Sequence, residues 1–154
     1  EVLGAASMKF KRHYPAVEVS ITAPDTLLMI PMDIILIEQV LINLMENAVQ
    51  HGKTTTRIEL RLSSAGGLAV FEVADNGCGI PKERLKTLFT GTTLTQDTSS
   101  GGKHGMGIGL SVCAAIIKAH GGEIDAESRP GEGTTIRFWL ETEKIELEDA
   151  EDEQ

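Results

Sequence analysis

The segment DNGCGIP, at residues 75–81, marks an abrupt change in the periodicity of the chain. Before it, LAVFEVA (68–74) alternates and is rich in β-formers, so it predicts a strand. After it, KERLKTLF (82–89) has the spacing of a helix. An Asp at the end of a strand followed by Asn-Gly is most often only a turn. The two closely spaced glycines therefore gain a functional meaning only in combination with other segments.

The rest of the chain predicts short strands, mostly paired with their sequence neighbours, with helices between them. VEVSIT (17–22) predicts a strand, and LLMI (27–30) predicts its hairpin partner after the Pro24-Asp25 turn. TRIELRL (56–62) and the strand at 68–74 form a second predicted hairpin. Further elements are helices over 1–13, 34–51 (with Asp33 as N-cap) and 108–120, and strands over 123–128 and 134–141. This pattern predicts an α+β fold, a two-layer sandwich with a mixed, mostly antiparallel sheet against three to four helices.

Charge and composition exclude several classes of function. The 154 residues carry a net charge of −9, but eight of the 23 acidic residues lie at or after Glu141. We therefore expect one domain over residues 1–141 and an acidic, disordered tail over 142–154. The absence of a basic cluster argues against nucleic acid as a partner. Two isolated cysteines indicate a reducing compartment, and no apolar stretch is long enough for a membrane span.

A second glycine-rich segment, GGKHGMGIGL (101–110), predicts a site for an anion. Three glycines let its backbone N–H groups come close to an anion at the start of the following apolar helix: Gly105, Gly107 and Gly109. Lys103 and His104 could add charge-assisted contacts. No strand precedes the segment, which argues against a dinucleotide-binding fingerprint, and it lacks the ending of a P-loop. The preceding Gly-, Ser- and Thr-rich residues predict a lid over about 90–107.

The long helix carries a pair of amides on one face. Asn43 and Asn47 are four residues apart on a helix that is otherwise apolar, so packing alone does not explain them. Amide oxygens suit Mg²⁺, which takes phosphate oxygens and waters as its other ligands. A fourth segment, GEGTT (131–135), is a glycine-rich turn that leads into a strand with two hydroxyls.

In this order, the four segments resemble the ATP-binding fold of gyrase, heat-shock chaperone, sensor histidine kinase and mismatch-repair ATPases, the GHKL or Bergerat fold. The resemblance implies that Asp75 binds the adenine amino group, that Asn47 is the Mg²⁺ ligand with Asn43 near the phosphates, and that the Thr134 hydroxyl supports Asp75. It implies the following contacts to ATP: Asn47, Gln50, His51, Asp75, Gly77, Gly79, Ile80, Lys103, His104, Gly105, Gly107, Gly109, Leu110 and Thr134.

The residue four positions before Asn47 favours one branch of this family. Hydrolysing members and anti-sigma-factor serine kinases have a Glu there as general base, whereas this chain has Asn43. A histidine nucleophile carries its own lone pair and does not need that base. The segments LIEQVLINLMENA and IGLSV also resemble sensor histidine kinases, in particular those of the potassium-responsive type. Gln50 and His51 depart from the Lys-aromatic pair common in such kinases; Lys103 could replace the lost charge.

None of the four histidines lies in the His-Glu/Asp-x-x-x-Pro context of a phosphoacceptor. The resemblance therefore implies the catalytic ATP-binding domain alone, a cytoplasmic part of a membrane-bound, homodimeric sensor kinase, with the isolated domain a monomer. Its partners would be the histidine-containing dimerisation domain of the same kinase and a response regulator. Two alternatives stay open: a serine kinase of the anti-sigma-factor type, and a nucleotide-binding regulatory module without catalysis.

Overall fold

The computed structural model describes residues 1–25, 28–89 and 104–142, and of residues 104–108 it describes the backbone only. Within these residues the chain forms four helices and five strands. In chain order they are α1 (Val2–His13), β1 (Glu18–Thr22), α2 (Ile34–Gly52), β2 (Arg57–Ala65), β3 (Leu68–Asp75), α3 (Lys82–Lys86), α4 (His104–Ala119), β4 (Glu123–Arg129) and β5 (Gly133–Glu141).

The five strands form one mixed sheet in the order β1-β2-β3-β5-β4. β1 runs parallel to β2, and the other three pairs are antiparallel. Helices α1, α2 and α4 pack together on one face of this sheet. The predicted α+β two-layer fold is therefore confirmed.

The core lies between the sheet and α2, as the apolar pattern of the long helix predicts. The α2 face that meets the sheet is fully buried at Ile37, Val40, Leu41, Leu44 and Met45. Opposite it, the rings of Phe71 and Phe138 on adjacent strands stack with their centroids 4.7 Å apart. The helix begins as predicted, with the Asp33 carboxylate accepting from the Leu36 N–H at 3.1 Å. None of the described helices combines the length and the apolar character needed to cross a bilayer.

The predicted pairing of the first strand is wrong. Residues 28–30 are irregular, and β1 pairs instead with β2, in the register Glu18↔Arg57 to Thr22↔Arg61. Parallel strands need a long crossover connection, and α2 supplies it between β1 and β2. Ile30 packs against the core without joining the sheet, and Pro31 follows it directly.

Two helix boundaries also differ from the prediction. Helix α3 ends at Lys86 rather than at residue 89. Helix α4 begins at His104 rather than at residue 108. It therefore includes glycines whose low helix propensity predicts a loop. The predicted lid therefore ends inside the first turn of α4. Its residues 90–103, and the predicted acidic tail from residue 143, lie outside the described residues.

The open face of the sheet carries a row of alternating charges across three strands. The Glu72 carboxylate on β3 accepts from Arg61 Nε on β2 at 2.8 Å and from Arg137 Nε on β5 at 2.9 Å. Partial burial opposes ionisation of Glu72, but hydrogen bonds from the two arginines outweigh it and lower the pKa of Glu72. These cross-strand pairs hold the centre of the sheet in register.

We expect Glu72→Gln to lower the free energy of unfolding at neutral pH, because it removes the charge that pairs with Arg61 and Arg137. The loss should be only about 1 kcal/mol, since solvent screens these partly exposed ion pairs. The lowered pKa of Glu72 means that its contribution is complete above the usual pKa of Glu, about 4.3, and is lost as the pH falls through the folded-state value. Urea unfolding of both proteins across this pH range measures the difference.

Glu123→Gln is the matched control, since Glu123 is an exposed residue on the edge strand β4. It removes the same charge and should change the stability by less than about 0.5 kcal/mol. A stability gap between Glu72→Gln and the wild type that stays constant down to pH 3 would contradict this account.

Candidate functional site

The turn after β3 lies directly against the C-terminal end of α2. The Cys78 N–H donates to the Gly52 carbonyl at 3.0 Å. A Cβ atom on Gly77 would lie 2.6 Å from the Gly52 Cα atom, which is closer than a side chain allows. Glycine at position 77 therefore permits the close backbone contact that joins the Asp75 turn to the helix of Asn43 and Asn47.

The Asn76 side chain fixes the turn to the start of β2. Its Oδ1 accepts from the backbone N–H groups of Thr56 and Arg57, both at 3.0 Å, and its Nδ2 donates to Thr56 Oγ1 at 3.0 Å. By its sequence context, this Asn is expected only to form a turn. Its side chain ties the end of β3 to the start of β2.

The Asp75 carboxylate is held by two backbone donors. Oδ1 accepts from the Gly77 N–H at 2.8 Å and from the Thr134 N–H at 3.3 Å. Burial raises the pKa of Asp75, although these two hydrogen bonds favour its charged form. A carboxylate fixed in a partly desolvated place is a strong acceptor for a ligand donor.

Thr134 contacts Asp75 differently from the expectation. Its backbone N–H makes the contact, whereas its hydroxyl lies 2.9 Å from Ser128 Oγ. Thr134 is 7% exposed. With Asp75 and Ser128 it lines a cavity of about 260 Å³ at the ends of β3 and β4 and the start of β5. Ser128 reads in the sequence as an ordinary strand residue, and no pattern distinguishes it.

Asn47 has an unpaired oxygen in a buried place. The residue is 6% exposed, and its Oδ1 has no hydrogen-bond partner among the residues that the structure describes. A buried amide oxygen without a partner is costly unless a ligand completes it. Within the same residues, no group of three or more His, Cys, Asp or Glu side chains could hold a metal ion. The donor chemistry of Asn47 fits a hard cation such as Mg²⁺ that takes its other ligands from phosphate and water.

Asn43, one helical turn earlier, is oriented by a neighbour. Its Oδ1 accepts from Gln39 Nε2 at 2.9 Å, so the two hydrogens of its amide face other groups. One of those groups is the buried thiol of Cys113 on α4. Burial raises the pKa of this thiol to about 12, although the hydrogen bond from Asn43 lowers it. Asn43 is thus placed as a donor between α2 and α4.

The other predicted residues of the turn lie beside a second cavity. His51, Gly79 and Ile80 line a space of about 360 Å³, together with Lys53 and Arg84. Gly79 has φ +86°, and a Cβ there would lie 2.5 Å from the Arg129 carbonyl oxygen, so the turn requires glycine. Gln50 is exposed on the last turn of α2.

The second glycine-rich segment is partly described. His104, Gly105 and Gly107 lie in the first turn of α4, whose backbone N–H groups have no partners within a helix. Gly109 is half-buried and Leu110 is buried in the core. Lys103 lies outside the described residues. The helix start thus supplies N–H groups and a positive dipole end, both of which suit phosphate.

Comparison with known proteins identifies the family. The family described as "Histidine kinase-, DNA gyrase B-, and HSP90-like ATPase" matches residues 32–144. The sensor protein KdpD of Clostridium acetobutylicum is 31% identical over 138 residues, which cover 90% of this chain and 15% of that protein. The sensor protein KdpD of Escherichia coli K12 is 33% identical over 140 residues, or 91% of this chain and 15% of that protein.

Solved structures agree with the sequence relatives. A nucleotide-free form of the catalytic domain of histidine kinase ThkA superposes with a TM-score of 0.74 at 25% identity, over 91% of each chain. The chain thus spans nearly all of a histidine kinase catalytic domain, but only a small part of the KdpD sensor proteins. The family predicted from the sequence is confirmed: the chain belongs to the histidine kinase-, DNA gyrase B- and HSP90-like ATPases, as an ATP-binding catalytic domain of the histidine kinase type.

Proposed function

We propose that this domain binds Mg²⁺-ATP between α2 and the start of α4 and donates the γ-phosphoryl group to a histidine of a separate dimerisation domain. The observation that carries the proposal is Asn47 Oδ1, which is buried and without a partner among the described residues. Asp75 lies on the β3 side of the contact between α2 and the turn, and its carboxylate is an acceptor that two backbone N–H groups hold in place. Together they supply a place for a metal-bound phosphate chain and one for a base with an amino group.

Each part of the site has a role in positioning ATP. Asp75 accepts from the adenine amino group, and the N–H groups at the start of α4 donate to phosphate oxygens. Asn47 holds Mg²⁺, which neutralises charge on the phosphates when bound. Asn43, with its oxygen turned to Gln39, donates to a phosphate oxygen. Gln50, His51 and Lys103 flank the nucleotide.

The transfer itself needs no base from this domain. The unprotonated imidazole nitrogen of the acceptor uses its lone pair to form a bond to the γ-phosphorus. The bond from that phosphorus to the β–γ bridging oxygen breaks, and ADP leaves with the electron pair. An amide at position 43 cannot take a proton from water or serine, which favours a histidine acceptor over hydrolysis and over the serine kinase branch.

The acceptor lies outside the described part of this chain. Both ring nitrogens of His120 are bonded, Nε2 to the Asp33 N–H at 3.1 Å and Nδ1 to the Ile116 carbonyl at 2.8 Å. His13 ends α1, and His51 lies at the end of α2 beside the turn. We therefore propose a parent sensor kinase that supplies the dimerisation domain, acts as a homodimer, and passes the phosphoryl group to a response regulator. We place this domain on the cytoplasmic side of that kinase.

Asp75→Asn should lower ATP affinity tenfold or more, since a hydrogen bond to a charged acceptor contributes about 1.5–3 kcal/mol. The same change should not destabilise the nucleotide-free domain at neutral pH. Because burial raises the pKa of Asp75, ionisation of its carboxyl group lowers the stability of the fold as the pH rises toward the folded-state pKa. The wild type should therefore gain stability relative to Asp75→Asn as the pH falls toward the usual Asp value of about 3.9. Calorimetric titration and pH-dependent thermal unfolding measure the two effects.

Asp25→Asn serves as the control, because Asp25 is exposed in the loop after β1 and loses the same charge. It should leave ATP affinity unchanged. Equal affinities of wild type and a folded Asp75→Asn for ATP would remove Asp75 from the site.

The domain alone should bind ATP without labelling itself from γ-labelled ATP. It should transfer label to an added dimerisation domain of its parent, slowly, because the effective concentration given by the covalent link is absent. Phosphate release should stay far below about one per second, a modest rate for an enzyme. Acid-labile label on the domain itself, or brisk phosphate release, would contradict the proposal. ATP binding with no transfer to the added domain would favour the regulatory module instead.

A further inference from the structure

Ser128 joins three segments at the Asp75 end of the site. Its Oγ lies 2.7 Å from the Ile80 backbone nitrogen, 3.1 Å from the Gly133 carbonyl oxygen and 2.9 Å from Thr134 Oγ1. Ile80 belongs to the turn after β3, whereas Gly133 and Thr134 begin β5. A single hydroxyl near the end of β4 therefore contacts both segments that hold the Asp75 carboxylate.

The proton count of this cluster leaves one arrangement in which all three hydrogen bonds form at once. The Ile80 N–H can only donate and the Gly133 carbonyl can only accept, so Ser128 Oγ accepts from the first and gives its one proton to the second. Thr134 must then donate its own hydroxyl proton to Ser128. Thr134 Oγ1 is left with lone pairs alone for any other neighbour, which makes it an acceptor.

We propose that Ser128 is a positioning residue that holds the Thr134 hydroxyl as an acceptor beside the Asp75 carboxylate, so that the base pocket selects a purine with an exocyclic amino group. This inference rests on the proposed function. Thr134 and Asp75 line the same cavity at the strand ends, and the Thr134 backbone N–H donates to Asp75 Oδ1 at 3.3 Å. Thr134 is 7% exposed, so bulk water competes little for its lone pairs. Two adjacent acceptors match the two hydrogens of an amino group, one of them directly or through a water.

A purely structural role for Ser128 gives a different result. If Ser128 only ties the turn to β4 and β5, its loss loosens the whole pocket and weakens every nucleotide by the same factor. If it sets the direction of the Thr134 hydroxyl, its loss lets that hydroxyl rotate, and the advantage of the amino group shrinks. The ratio of two affinities separates the roles.

The test compares ATP with purine riboside triphosphate, which has hydrogen in place of the amino group and is otherwise identical. The wild type should prefer ATP by about tenfold or more, as expected for a bond to a charged acceptor plus a second acceptor. Ser128→Ala and Thr134→Val should each reduce this preference by about three- to tenfold. In the Thr134→Val background, Ser128→Ala should leave the preference unchanged, because it acts through the threonine.

Controls distinguish this inference from its foundation. Thr134→Ser keeps the hydroxyl and should retain the preference, and Ser64→Ala removes an exposed hydroxyl at the far end of β2 and should change nothing. An equal loss of both affinities in Ser128→Ala, or an unchanged preference in Thr134→Val, would overturn the role of Ser128. Thr134→Val is nearly isosteric, so an unchanged preference in this variant overturns the inference even if Ser128→Ala does not fold. A wild type that does not bind ATP would instead overturn the proposed function.

Discussion

The backbone contact between Gly52 and the Gly77-Cys78 turn is the constraint on which the site depends. It brings the C-terminal end of α2 to the end of β3 at a distance that no side chain permits. Asn47 lies five residues before Gly52, or about 7.5 Å along the helix axis. The contact therefore sets the separation between the metal-binding amide and the base-binding carboxylate. A larger residue at Gly77 would push the turn away from α2 and so separate the two halves of the site.

Both central polar groups are less well satisfied than a stable core requires. Burial raises the pKa of Asp75, and the Asn47 oxygen has no partner among the described residues. Each arrangement costs folding free energy that a bound nucleotide and cation could recover. In contrast, the open face of the sheet pairs Glu72 with two arginines and stabilises the fold independently of the site.

The sequence predicts those parts of the structure that depend on local pattern. The buried stripe of α2, the β2–β3 hairpin and the Asp33 cap follow from periodicity and turn chemistry. It fails where distant segments decide the outcome. The β1–β2 pairing is parallel because α2 crosses between them, which no hairpin signal near Pro24 reveals. Helix α4 starts early although its glycines have low helix propensity.

The same limit applies to the site. Asn47 and Asp75 stand out in the sequence because an amide on an apolar helix and a carboxylate before two glycines are chemically unusual. Ser128 and Gln39 do not stand out, since each orients another side chain, Thr134 and Asn43 respectively. Asn76 also looks like a simple turn residue, although its amide ties the turn to β2. Orientation by a neighbour leaves no pattern in a single sequence.

The most direct test of the account is nuclear magnetic resonance of the ¹⁵N-labelled domain with ATP, first with Mg²⁺ and then with Mn²⁺. Binding of Mg²⁺-ATP should shift the backbone amides of Gly77 and Thr134, because both donate to the Asp75 carboxylate. Replacement by paramagnetic Mn²⁺ should broaden the side-chain amide of Asn47 most strongly, since broadening falls steeply with distance from the ion. An Asn47 amide that keeps its linewidth while ATP and Mn²⁺ are bound would contradict the central claim that α2 holds the metal and the Asp75 turn holds the base.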